Sequence, residues 1–206
     1  MNQISRRHLL GSAAALAMMP AAALAQDAPD LAKLNEPPAH GEMPEGLETA
    51  KVTVIEYASA SCPHCADFYA TVYPPLKKDY IDTGKVRFLF REFPHNDAAL
   101  GGFMVARCAP PEKYHAIIGA LFKTQDKWVH RPFDGLKEIA LQAGFTEESF
   151  VACTKNADVA RAISNERKRA EDFGVTGIPF IFINGKHYEG ENTIEGLKAI
   201  IDPLLG

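Results

Sequence analysis

The chain has 206 residues, 47% of them hydrophobic and 23% charged, proportions that exclude a collagen, a coiled coil and a disordered polyelectrolyte. A formal charge of -4, with no basic tract, argues against nucleic acid or an anionic membrane surface as partner. Four cysteines are too few to staple a small domain, so apolar packing must build the core.

Residues 1–25 have the three-part layout of an export signal. Arg6 and Arg7 come first, an Ala/Leu/Met-rich run follows from Leu9 to Leu24, and Ala23-Leu24-Ala25 offers a small-x-small cleavage site. Ser5-Arg6-Arg7-His8-Leu9-Leu10 resembles a twin-arginine signal, with an ordinary secretory signal as the alternative. Pro20 inside the run argues against a membrane anchor. Cleavage after about Ala25 would carry all four cysteines into a compartment that permits disulfides.

Residues 26–48, with Pro29, Pro37, Pro38, Gly41, Pro44 and Gly46, read as a flexible lead-in. The β-branched cluster Val52, Thr53, Val54, Ile55 predicts a buried strand. A helix from Pro63 to Tyr80 follows, kinked at Pro74-Pro75, and Val86 to Phe93 returns as a second strand. From 97 to 173 only helical spacing remains. Leu100, Phe103, Met104 and Cys108 mark one helix, Tyr114, Ile117, Ile118 and Leu121 a second, and Leu136, Ile139 and Ala140 a third closed by Gly144. Phe145 and Thr146 look like the staple and N-cap of a fourth, and a fifth runs from about Asp158 to Phe173. Its charged stretch Glu166 to Asp172 reads as a solvated face with Arg167–Glu171 and Lys168–Asp172 pairs. Pro179 to Ile183 predicts a strand, Asn184-Gly185 a tight hairpin, and Thr193 to Leu205 a closing amphipathic helix.

The chemistry sits at Cys62-Pro63-His64-Cys65, between a strand and a helix. Two cysteines at this spacing can close a disulfide. In the reduced state the helix N-terminus, with its free N–H groups and positive dipole end, stabilises a thiolate on Cys62. His64 adds a donor, and positive charge when protonated. Cys62 is the expected nucleophile and Cys65, one turn in, the resolving thiol. The same spacing is also half of a zinc site, but no second half exists in the chain. Pro179 stands at the first position of an apolar strand, which tolerates proline; a cis Ile178–Pro179 bond would instead present the Ile178 backbone to a bound chain.

CPHC after a strand, a helical insertion, then Gly174-Val-Thr-Gly-Ile-Pro-Phe-Ile-Phe-Ile-Asn-Gly185 and a closing helix resemble the thioredoxin superfamily, and more narrowly the periplasmic DsbA family of thiol oxidases. The likeness spans about residues 48–206. It implies an α/β thioredoxin fold formed by 49–96 and 174–206, with an inserted all-helical domain at 97–173. It further implies a cis Pro179 packed against Cys62–Cys65, substrate binding at Ile178 and Pro179, and oxidation of reduced exported proteins. A membrane quinone reductase of the DsbB type would reoxidise the protein, no cofactor is expected, and a monomer is the default.

Glu56 lies six residues before Cys62, where this superfamily carries a buried acid. Among Val54, Ile55 and Tyr57 a carboxylate is costly unless neutral or paired, and Lys85 is a candidate partner. The implied role is proton acceptor or electrostatic tuner for Cys65, the alternative being an edge-exposed carboxylate. Cys108 and Cys153, 45 residues apart in the helical block, are expected to form a structural disulfide, the alternative being two buried thiols. His40, His95, His115, His130 and His187 read as surface or satisfied histidines. Two other functions compete: a disulfide isomerase or reductase of the same superfamily, and a copper-binding protein using Cys62 and Cys65 as soft ligands.

Overall fold

The computed structural model describes residues 31–206, so the expected export signal and its cleavage site lie outside the described residues. Five strands form one mixed sheet in the order β1-β3-β2-β4-β5. The strands are β1 (Pro44–Glu45), β2 (Val52–Ala58), β3 (Val86–Glu92), β4 (Phe180–Ile183) and β5 (Lys186–His187). β2 and β3 are parallel, joined by a helical crossover, while β1 on β3, β4 on β2 and β5 on β4 are antiparallel. The central β2 is covered on both faces. Its β-branched run therefore need not alternate with polar residues, which is why it reads as one apolar block.

The crossover is α2 (Pro63–Thr71), α3 (Tyr73–Leu76) and a π-helical stretch at Lys77–Ile81. The single kinked helix expected here breaks at Val72, two residues before Pro74. A proline clashes with the carbonyl four residues back, so the chain restarts with its prolines in a first turn.

The helical block contains α4 (Asp97–Cys108), α5 (Tyr114–Lys123), α6 (Gln125–Trp128), α7 (Pro132–Gln142), α8 (Glu147–Thr154) and α9 (Ala157–Asp172); α10 (Ile194–Leu205) closes the chain. Side-chain caps set several starts. Asn96 accepts from the Ala99 N–H, Thr146 and Ser149 form a capping box, and Asn156 accepts from Asp158 and Val159. Cys108, ending α4, and Cys153, in α8, are joined with Cα atoms 6.0 Å apart. The turn Asn184-Gly185 has φ values of 45° and 78°, the left-handed pair that a two-residue hairpin needs.

Apolar residues pack on both sides of the sheet. Val54, Phe88, Phe90 and Ile181 face a large cluster shared with α2, α4, α5 and α7, whereas Ile55, Tyr57, Leu89 and Phe182 face a smaller one closed by α9 and Leu34.

Two expectations are corrected here. Within the described residues, 31–48 are no flexible lead-in. They form α1 (Leu31–Asn35) and β1, and Leu34 is fully buried. The cause is a pair of charges at the end of β3, Arg91 and Glu92, both fully buried. The Arg91 guanidinium donates to the Leu34 carbonyl at 2.8 Å, to the Tyr57 hydroxyl at 3.0 Å and to Glu42 at 2.7 Å. Glu92 accepts from Arg107 and from the Tyr114 hydroxyl, and His40 Nε2 lies 3.1 Å from it. The segment is held because it supplies partners these buried ions require. Likewise, the solvated face expected at 166–172 loses its first member. Glu166 is buried, accepting from Tyr57 at 3.1 Å and Arg169 at 2.8 Å. Arg167–Glu171 is paired at 3.0 Å, and among the described residues no Lys168–Asp172 ion pair forms.

Candidate active site

Cys62 is the N-cap residue of α2, in extended conformation, with Pro63 opening the helix. Proline at that position lacks only an N–H that would go unpaired, and its ring fixes the first helical φ. Both active-site cysteines are free thiols, Cys62 with 8% exposure and Cys65 with none. Cys62 Sγ sits 3.9 Å from the Ile178 carbonyl, and the Ile178–Pro179 bond is cis. His64, Phe68, Thr71, Ile178, Pro179 and Asn192 line a groove of about 430 Å³ beside the sulfur.

The two thiols are driven apart electrostatically. The hydrogen bond from Cys65, then the backbone N–H groups of Cys65 and His64 and the charge of His95, overcome burial and lower Cys62 to about 5. Cys65 is raised well above its ordinary value by the same hydrogen bond, by burial and by the charge of Glu56. Glu56, in the middle of β2 between Phe90 and Ile181, is 3% exposed, and burial pushes it up to about 8. One thiol therefore ionises readily while its neighbour keeps its proton. The thiolate absorbance of the reduced protein near 240 nm should appear as pH rises through about 5. A first appearance at pH 8 to 9, as for an ordinary cysteine, would contradict this arrangement.

The family profile described as thioredoxin matches residues 39–203. The chain belongs to the thioredoxin family.

Within that family, the chain is 31% identical over 168 residues to a putative protein-disulfide oxidoreductase of Rickettsia conorii, an alignment spanning 80% of this chain but 60% of the relative. The chain thus spans less than two thirds of that relative's length. It is 28% identical over 205 residues to the thiol:disulfide interchange protein DsbA of Burkholderia cepacia, covering 95% of this chain and 91% of the relative. Among solved structures it superposes on Wolbachia pipientis alpha-DsbA1 with a TM-score of 0.77 and 28% identity, covering 84% of this chain and 96% of that one.

The fold brings Cys62, Cys65, Ile178 and Pro179 to the end of the central strand where β2 runs into α2, with Glu56 two residues back along β2. Lys85 does not join them. It precedes β3, whose first residue pairs with Val52, so it lies at the far end of β2 and its Nζ reaches the Asp79 carbonyl at 3.3 Å. The ring of His64 is exposed, and its contribution to the thiolate comes through its backbone N–H. A second imidazole, that of His95, also acts on Cys62. It is clamped to the active-site loop by Ser59 Oγ at 2.7 Å, with Asn96 Nδ2 3.1 Å from its other nitrogen. Gln125, from the helical block, donates to the carbonyls of Ala60 at 2.8 Å and Cys62 at 3.0 Å. Neither residue shows a motif. Their positions depend on how the block docks, and the N-cap signal at Asn96 is the one local hint that the His95 loop is fixed. Among the described residues no group of three or more histidine, cysteine or acidic side chains could hold a metal ion.

Proposed function

We propose that this protein is a thiol:disulfide oxidoreductase that donates a Cys62–Cys65 disulfide to reduced proteins exported to the periplasm. The observation that carries the reading is the split between the two thiols: Cys62 ionised above about 5, Cys65 held protonated beside a buried Glu56. Starting from the disulfide, a substrate thiolate attacks Cys62 Sγ and the Cys62–Cys65 bond breaks. Cys65 takes a proton, and a second substrate thiol then resolves the mixed disulfide, leaving Cys62 as a stable thiolate. Whatever stabilises that thiolate stabilises the reduced protein and makes the disulfide a stronger oxidant.

The remaining assignments follow from this reading. Ile178 and Pro179 present backbone to the substrate chain in the groove beside Cys62, and Glu56 exchanges the proton of Cys65. Cys108–Cys153 is a structural bridge outside the exchange chemistry. A DsbB-type membrane quinone reductase reoxidises the protein, which acts as a monomer after export on a twin-arginine-like signal cleaved after about Ala25.

Equilibration with glutathione tests the function. A potential near about -120 mV, the range of the strong oxidant DsbA, is the expected result, and one near about -270 mV, the thioredoxin range, would make the protein a reductant instead. With Cys62 ionised and Cys65 protonated, reduction takes up one proton for two electrons, so above about pH 5 the potential should fall by about 30 mV per pH unit.

A further inference from the structure

The cycle above moves a proton between Cys65 and Glu56, yet Glu56 is 3% exposed and has no surface of its own through which to recover that proton. Glu56 lines a small cavity of about 10 Å³ together with Tyr69, Tyr73, Glu45, His115 and three apolar side chains. That volume is close to the least that holds one water molecule. His115 comes from α5 in the helical block, and Glu45 from β1. The histidine is unusual in two ways. Its Nε2 is buried without any hydrogen-bond partner in the protein, a rare and costly state for an imidazole nitrogen. Its other nitrogen, Nδ1, lies 3.6 Å from Glu45 Oε2, and 29% of the side chain is exposed. The side chain therefore lines the same cavity as Glu56 and is also partly exposed to solvent.

We propose that His115 is the proton port of Glu56, passing protons between solvent at its Nδ1 side and a water in the cavity at its Nε2 side. When substrate attack expels Cys65 as a thiolate, Glu56 gives it a proton and recovers one through the cavity. When the Cys62–Cys65 bond re-forms from a mixed disulfide, the substrate sulfur leaves as a thiolate, the Cys65 proton goes to Glu56 carboxylate, and the proton leaves by the same route. One proton passes in and one out per cycle, so charge and atoms balance. An imidazole does this by accepting at one nitrogen while releasing from the other. The groups acting on the ring are Glu45 on β1, the Met43 carbonyl, Lys77 after α3, Arg107 on α4 and the edge of Tyr114. Burial comes first among these influences and lowers the imidazole below its ordinary value, which keeps it in the neutral form that can shuttle. Glu45 is itself fixed by the Tyr73 hydroxyl and by Lys77 at 2.8 Å. His115 acts through Glu56, so it is a positioning residue and not a catalytic one.

This inference rests on the proposed oxidoreductase cycle, and its test separates the two. The reduced protein is oxidised with glutathione disulfide, and the step that closes Cys62–Cys65 is followed against pH for the wild type, His115→Gln, Glu56→Gln and the double variant. His115→Gln should slow that step about tenfold near pH 7 and change the shape of its pH profile, with the Cys62 titration unmoved. In the Glu56→Gln background the same substitution should add nothing, because nothing is left to supply. Independent, additive effects of the two substitutions would overturn the port. If His115→Gln does not fold, nitrogen NMR of His115 in the unaltered protein and in Glu56→Gln decides the matter: its titration should shift when Glu56 is removed, and identical curves would overturn the coupling. A Cys62 titration near pH 8 to 9 with a potential near about -270 mV would instead sink the oxidase reading, whatever His115 does.

Discussion

Glu56→Gln is expected to stabilise the reduced protein by about 3 kcal/mol at pH 7 and by about 5 kcal/mol above pH 8, while changing little at pH 4. The carboxyl is buried in the middle of β2 and its folded-state value, about 8, lies above the ordinary 4.5. Below 4.5 both the folded and unfolded chains carry the proton, and the group costs nothing. Between 4.5 and 8 the folded chain holds a proton that the unfolded chain has released, so stability falls as pH rises, and above about 8 the full penalty is present. Glutamine has nearly the same shape and no charge to bury, so the gain should grow across that interval and then level. Unfolding by guanidinium at pH 4, 7 and 8.5 measures it. A gain that is the same at all three would show that Glu56 is solvated or paired in the folded state. The same variant should be slow in closing its disulfide, trading activity for stability as buried catalytic acids do.

Glu92→Ala should cost about 3–5 kcal/mol, the loss characteristic of one partner removed from a buried ion pair. Glu92 is fully buried, and its two oxygens serve Arg107, Tyr114 and His40. Burial alone would raise it, but the His40 hydrogen bond and the Arg107 guanidinium outweigh that and hold it at about 2. The sign is therefore opposite to that of Glu56. Its contribution is present above the unfolded value of about 4.5 and is lost as pH falls through about 2. Acid unfolding of the wild type should thus show a component in that interval that Glu92→Ala lacks. Limited proteolysis should also cut the variant within residues 36–43, because His40 and the carbonyls of His40 and Gly41 are tied to this cluster. An unchanged cleavage pattern with full stability would mean that the lead-in is not held by these ions.

The sequence shows the order of elements clearly because each element declares itself locally. The apolar run of β2, the N-cap at Thr146, and Asn184-Gly185 between apolar runs all carry their own signal within a few residues. The CPHC motif and Pro179 are legible for the same reason. What escapes is whatever depends on a distant partner. Residues 31–48 look like a linker because their structure is supplied by Arg91 and Glu92, about fifty residues on. Glu166 looks solvated because nothing near it announces that Tyr57 will cover it. At the active site, His64 is adjacent to the cysteines in sequence, but it is exposed; His95, thirty-three positions from Cys62, is held against the active-site loop by Ser59.

The pairing of β2 with β4 sets how this protein can be assembled. The Thr53 N–H is bonded to Asn184 across 131 residues of chain, and the loop bearing Pro179 reaches Cys62 only when that pairing is made. A polypeptide that emerges from its N-terminus therefore exposes both active-site cysteines long before the strand that encloses them exists. Closing so long a loop is entropically costly and comes late in folding. The site is completed by residues that arrive more than a hundred positions after the cysteines, so a nascent or truncated chain would carry reactive thiols without the groove that directs them.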